Sequence, residues 1–463
     1  MLCRTTLLVL AIALLGFVAT EVTADDWPQW LGPQRDGVWR ETGIVGEFST
    51  TELKVKWQQK IGGGYTGPAV ADGRVFVMDY LTDGDTSPSP SRRNKLQGTE
   101  RVLCFSVDDG QLLWKHEYDR PYNISFPAGP RVTPTVDGDR VYTLGSEGNL
   151  ICLRTKDGSV IWSRDLPKDY EMDETPIWGF SGHPLVDGDK LICLVGGEGS
   201  VAVAFNKFDG KEIWKSLSAA QPGYCPPTMI KAGGTRQLLI WHSQSLNSLN
   251  PDTGEVYWSE ALQPSYEMAI ATPRMDGNFL FVGAIVNISM LLKLDANRPA
   301  AELIWKGAKD RGIGPVFSTP FLEHGYMYGV DRKGELRCVE LESGKHVWSS
   351  NEATHADRRD SPNMFLIKHE DRFFLANDLG ELIIAKLSPD GYQEISRAQM
   401  IDPQTMTNQR KVVWSHPAFA NRCVFARNDQ RIVCISLADT ERPGAATKTS
   451  YRSSTTGSLP AGR

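Results

Sequence analysis

Six tryptophans, Trp114, Trp162, Trp214, Trp258, Trp305 and Trp348, stand 43 to 52 residues apart, and each closes a similar short segment. In five of them the segment is a small polar or acidic residue, a glycine, three residues and the tryptophan: Asp109-Gly110…Trp114, Asp157-Gly158…Trp162, Asp209-Gly210…Trp214, Thr253-Gly254…Trp258 and Ser343-Gly344…Trp348. Trp305 lacks the glycine. A repeat of this length means an array of like units, each unable to bury its apolar face without a neighbour.

One unit can be followed residue by residue. Thr133-Pro134-Thr135-Val136 is a short strand that turns at Asp137-Gly138-Asp139. Residues 140–144 and 149–154 alternate polar and apolar on either side of a second Gly turn, and Asp157-Gly158 leads into a fourth strand ending at Trp162. Period-two alternation between Gly/Asp turns predicts antiparallel hairpins, and four such strands in about 45 residues predict a propeller blade. Seven further units align on this one. The seventh unit has Ile395 where the tryptophan is expected, and the eighth, from Pro417, stops after residues 431–437 without a fourth strand. An orphan strand, Leu53-Lys54-Val55-Lys56-Trp57, precedes the first unit. Placed as the outer strand of the eighth sheet, it closes the ring and removes an exposed edge. The expectation is an all-β, eight-bladed propeller with four antiparallel strands per blade, the N-terminal strand closing the last blade. Seven blades is the competing count.

The chain divides accordingly. Residues 1–24, with Arg4, an apolar run from Leu7 to Val18 and Val22-Thr23-Ala24, read as a cleaved signal peptide, with an uncleaved anchor as the alternative. Residues 25–52 are an aromatic, turn-rich segment, of which Trp27 to Arg40 is expected to cover part of the propeller surface; 53–439 are the propeller; 440–463 are a Ser/Thr/Gly tail expected to be disordered. Export places the protein in the periplasm, at the cell envelope or outside the cell, with no membrane span after cleavage. A net charge of −6 argues against nucleic acid as a partner. Cys104, Cys152, Cys338 and Cys434 fall at one point of four different repeats, too far apart to bridge. They read as small core residues, and only Cys423 and Cys434 could meet across a hairpin.

The segments from Phe105 to Trp114 and from Phe205 to Trp214 resemble the tryptophan-docking repeat of the pyrroloquinoline-quinone (PQQ) propellers. Trp27-Pro28-Gln29-Trp30-Leu31-Gly32-Pro33 is similar to the opening motif of exported bacterial PQQ-like repeat proteins. The resemblance implies eight blades and one of two functions. The first is a non-catalytic binding or scaffold module at the cell envelope, as in an outer-membrane barrel-assembly propeller. The second is a quinoprotein dehydrogenase that holds PQQ and calcium in its funnel and oxidises an alcohol or sugar. Several such dehydrogenases stack PQQ on adjacent, disulfide-bonded cysteines; this chain has no adjacent cysteines.

Candidate site residues come from the loops that enter each innermost strand and from the second-to-third-strand turns, because function concentrates on loops held by a rigid frame. Trp178 and Trp414 suit stacking on a flat ligand; Arg131 and Arg359 suit a bidentate hold on carboxylates; Glu198 and Asn377 suit calcium by ligand type, and Asp331 joins them at the channel mouth. His183 and His416 precede prolines at equivalent blade positions, as functional or as structural channel residues. No hydrolase triad motif, phosphate loop or zinc spacing is visible, so no catalytic residue is singled out and the metal set is undefined. The expected partner of a monomeric propeller is an envelope protein or a small-molecule ligand.

Overall fold

Alternation between Asp-Gly turns produces, among the described residues, eight four-stranded antiparallel sheets. The computed structural model describes residues 25–439 except 88, 90, 356–361 and 408–409; the expected leader, the 440–463 tail and Arg359 lie outside the described residues. Blade 1 is Ala69–Ala71, Arg74–Leu81, Thr99–Ser106 and Leu112–Asp119, and blade 2 is Thr135–Asp137, Arg140–Leu144, Asn149–Arg154 and Val160–Asp165. Blades 3 to 7 repeat that order, beginning at Leu185, Thr228, Arg274, Phe321 and Met364. Blade 7 is a full sheet despite its missing tryptophan, which decides the count at eight.

Blade 8 is completed by the N-terminal strand. Val55–Lys60 pairs antiparallel with Arg431–Ser436, next to Cys423–Arg427 and Ala418–Ala420. The strand runs on past Trp57 to Lys60, beyond the end expected from the sequence, because a bulge between Val55 and Trp57 lets the indole face inward while pairing continues. Arg427, fully buried, ties blade 8 to blade 1: it donates to Gly62 O at 2.6 Å, Met78 O at 2.8 Å and Asn428 O at 3.1 Å. Its charge is met by carbonyl dipoles, and burial lowers its pKa.

The repeat glycine and tryptophan act between blades. Trp114 of blade 1 donates its indole N–H to Thr155 O of blade 2 at 2.8 Å, and Trp162 and Trp214 donate to Lys207 O at 3.0 Å and Pro251 O at 3.1 Å in the next blades. Trp57 does the same from blade 8 to Val107 O of blade 1, at 2.8 Å. Each ring lies flat on the following blade's glycine, so that a Cβ on Gly110, Gly158, Gly210 or Gly254 would sit 2.5–2.7 Å from the indole. These glycines also hold φ of 72–76°, in the left-handed region. Opposite the tryptophan on the third strand stands a small residue in most blades: Cys104, Cys152, Ala204, Ser248, Cys338 and Cys434. All seven cysteines after Cys3 are free and buried, as expected of core residues.

Blade 5 breaks the pattern. Its turn, Asp295-Ala296-Asn297-Arg298, has no glycine, and Trp258 of blade 4 turns back to Gln237 Oε1 of its own blade at 2.9 Å and stays half-buried. The missing glycine and the undocked tryptophan are thus one feature seen from two blades.

Replacing Gly158 and Gly138 by alanine separates the two roles of a glycine. Both sit at positive φ, 72° and 58°, but a Cβ at Gly138 meets nothing within 4 Å. Chemical denaturation should show Gly138→Ala costing about 1 kcal/mol of backbone strain, and Gly158→Ala about 1–3 kcal/mol more from the clash with Trp114.

Candidate functional site

Seven of the eight innermost strands are entered through a residue followed by proline: Gly67, Thr133, His183, Pro226, Thr272, Thr319 and His416. Proline has no N–H to give a ladder, so pairing starts only after it. The residues before the prolines therefore form a ring of turns around the channel. Neighbours in this ring are bonded: Thr133 N–H donates to His183 Nδ1 at 2.9 Å, and Thr272 N–H to Thr319 Oγ1 at 3.2 Å.

The segment around residues 27–40 crosses this ring and closes the channel on one side. It pairs with blade 1 through Trp27 and Val70 and with blade 7 through Gly37, Trp39 and Lys368. Between these anchors Arg35 reaches Pro184 O at 3.0 Å, His183 O at 3.3 Å and Pro227 O at 3.4 Å, while Arg274 of blade 5 holds the carbonyls of Arg35 and Asp36. Trp30 stands on the axis. Its ring stacks on His183 at 4.2 Å between centroids with an 8° tilt, lies 4.8 Å from His416, and donates its N–H to Thr272 Oγ1 at 3.1 Å.

Above Trp30 opens a cavity of about 610 Å³. Aromatic rings make most of its wall. Trp414 lies against Phe317, Phe126 and Tyr65, at 5.2, 6.1 and 6.4 Å, and Trp178 against Tyr224 at 5.4 Å. Met268, Ile270, Ile285 and Val316 add an aliphatic side, and Tyr266 stands 72% exposed at the mouth. Two of these aromatic residues, Phe126 and Tyr266, have positive φ of 51° and 56°. Such backbone strain at non-glycine residues is held in place by its surroundings and clusters at functional sites.

The polar lining is sparse. Arg131 lines the cavity, but its Nη1 and Nη2 donate to Gly129 O, Ser146 Oγ, Ser125 O and Phe126 O, so it braces the loop it sits on. Its guanidinium also covers the Tyr65 ring at 5.2 Å. Arg332 is exposed at the mouth. His183 and His416 are buried and neutral: desolvation pushes His183 well below its usual pKa and takes His416 down to about 4.

Of the expected site residues, Arg131, Trp178, His183, Trp414 and His416 come together on this cavity. Glu198, Asp331 and Asn377 are not part of its lining. Asp331 pairs with Arg337 at 2.7 Å and accepts from two backbone N–H groups of its own turn. Asn377 likewise accepts from Leu379 N and Glu381 N, and Glu198 is exposed on a tight turn. Asp and Asn at such positions hold the hairpin backbone. Trp30, Tyr65, Phe317 and Phe365 line the cavity without having been singled out from sequence.

PQQ with calcium requires oxygen ligands for the ion, six to eight of them. Among the described residues the cavity lining contains no Asp, Glu, Asn or Gln, and no three His, Cys, Asp or Glu side chains cluster as a metal site. The described residues do not fit calcium-bound PQQ.

A family model described as outer membrane protein assembly factor BamB matches residues 98–350 and 301–463. The chain belongs to this PQQ-like repeat β-propeller family. Curated relatives include the outer membrane protein assembly factor BamB of Shewanella oneidensis, 22% identical over 53% of this chain and 63% of that protein, and that of Yersinia pestis, 23% identical over 52% and 61%. The chain thus spans less than two thirds of the length of these relatives. Among solved structures, BamB from Moraxella catarrhalis superposes with a TM-score of 0.51 at 15% identity, covering 82% of this chain and 97% of that one. The quinohemoprotein alcohol dehydrogenase from Comamonas testosteroni gives 0.55 at 12% identity, covering 91% and 82%. At these identities the likeness shows a shared fold.

The buried histidines make stability sensitive to acid. His242, His369 and His416 are each held down to about pKa 4 by burial. Between about pH 6.5 and 4 the unfolded chain takes up protons that these folded histidines refuse, so stability falls as pH drops through that window. Urea midpoints should fall steadily from pH 7 to pH 4.5. Among the described residues His369 has no hydrogen-bond partner on either ring nitrogen, so His369→Leu should flatten that slope and leave stability at pH 7 equal or higher.

Proposed function

We propose that this propeller is a non-catalytic binding module, exported to the cell envelope, that holds its ligand or partner at the aromatic face of the channel. The carrying observation is the chemistry of the cavity wall: aromatic and aliphatic, with neutral histidines at its floor and, among the described residues, no carboxylate to serve as base or metal ligand. A general base must lie within hydrogen-bond reach of the proton it takes, and a dehydrogenase of the quinoprotein type needs one beside its cofactor. The family model and the curated relatives, described as outer membrane assembly factors, support an envelope role in which an envelope protein is a partner. No helix among the described residues is long and apolar enough to cross a membrane. The leader-like residues 1–24, which lie outside the described residues, support export.

Quinoprotein dehydrogenase is the second reading, favoured by the shared fold with a quinohemoprotein enzyme. Purified protein incubated with PQQ and calcium should show no bound chromophore, no thermal stabilisation and no dye-linked oxidation of alcohols or sugars. A saturable rise in Tm together with turnover would overturn the non-catalytic reading.

A further inference from the structure

The two histidines at the cavity floor are fixed as opposite tautomers. His183 Nδ1 accepts the N–H of Thr133 at 2.9 Å, so the proton of the neutral ring sits on Nε2. His416 Nδ1 lies 2.6 Å from Pro417 O, a group that only accepts, so here the proton sits on Nδ1 and Nε2 is left with its lone pair. Among the described residues neither Nε2 has a hydrogen-bond partner, and both rings line the cavity. Both rings flank Trp30, at 4.2 and 4.8 Å, which places their centroids within about 9 Å of each other. The floor therefore offers a flat aromatic platform with one donor and one acceptor beside it.

We infer that this cavity binds a planar aromatic small molecule whose inner end is an uncharged amide-type group, its carbonyl accepting from His183 Nε2–H and its N–H donating to His416 Nε2. The inference rests on the binding-module reading and names the ligand class for the same site. Three features select that class. The walls formed by Trp30, Trp178, Trp414 and Phe317 present ring faces and edges, which reward flat apolar rings. A sugar would leave many hydroxyls unmatched against so few polar groups, at a cost for each one buried. Charge at the inner end is disfavoured in both signs. Among the described residues the lining has no carboxylate to pair with a cation, and Nη1 and Nη2 of Arg131 are already engaged by carbonyls and Ser146. A carboxylate there would also turn a second acceptor toward the lone pair of His416. The volume, about 610 Å³, lies within the range of small-molecule sites. The strained, exposed Tyr266 at the mouth is placed to cover the outer end of such a ligand.

The test uses the mature full-length protein and three probes of one shape: naphthalene-2-carboxamide, naphthalene-2-carboxylate and 2-naphthyltrimethylammonium. Binding is read by calorimetry and by ligand-detected NMR at pH 7.5. The carboxamide should bind at least 10-fold more tightly than either charged probe. His416→Phe should abolish that preference while unsubstituted naphthalene, measured alongside, binds as before. Trp178→Leu should weaken both neutral probes. Equal or tighter binding of a charged probe, or a carboxamide preference that survives His416→Phe in a folded variant, would overturn the inference. So would failure of all the probes to bind, and this leaves the non-catalytic reading standing. That reading falls separately, on turnover with PQQ and calcium.

Discussion

The indole of one blade lying on the glycine turn of the next is the contact on which the ring depends. It combines three requirements at one point: a backbone turn at positive φ, the absence of a Cβ, and a carbonyl aimed at the indole N–H. No blade can satisfy them alone, because ring and turn always come from neighbouring units. The repeat is therefore a statement about interfaces. The same logic explains the N-terminal strand. Blade 8 has no fourth strand of its own and could not present a tryptophan to blade 1; Val55–Lys60 supplies both, and Arg427 then secures the seam from within.

A ring braced at its outer strands leaves the axis free to be specialised. The inner strands are short, the loops entering them end at prolines, and the space between those loops is filled from one side by Trp30 and Arg35. What remains on the other side is a cavity whose shape is set by rigid elements and whose chemistry is set by loop residues. Its described walls are aromatic and its floor is neutral, so stacking and a few hydrogen bonds are what these residues offer a ligand. The residues that identify the repeat hold blades together, and none of the docking tryptophans reaches the cavity.

The fold was legible because its signals are periodic and local. Alternation, Asp-Gly turns and the spaced tryptophans each mark the same strands, and the orphan strand at residues 53–57 pointed to ring closure. The site was legible only where loop position decided it. Arg131, Trp178, His183, Trp414 and His416 sit on entry loops, and the frame carries them to one cavity. Asp331 and Asn377 carry plausible ligand chemistry but spend it on their own turns, a local use that sequence alone does not distinguish from a shared site. Trp30 was hidden for the opposite reason. Its partners, His183, Thr272 and His416, lie 153 to 386 residues away along the chain, and no spacing rule connects them. The Trp27-Pro28-Gln29-Trp30 motif was the one available signal, and it pointed to a covering segment, not to the channel floor.

A double-mutant cycle between Trp114→Leu and Gly158→Ala tests the interlock most directly. If the indole rests on the glycine, the alanine Cβ is harmful only while the indole is there. The cost of Gly158→Ala should then shrink in the Trp114→Leu background to the backbone strain alone, giving a coupling of about 1 kcal/mol or more. Additive costs, within about 0.3–0.5 kcal/mol, would contradict the account.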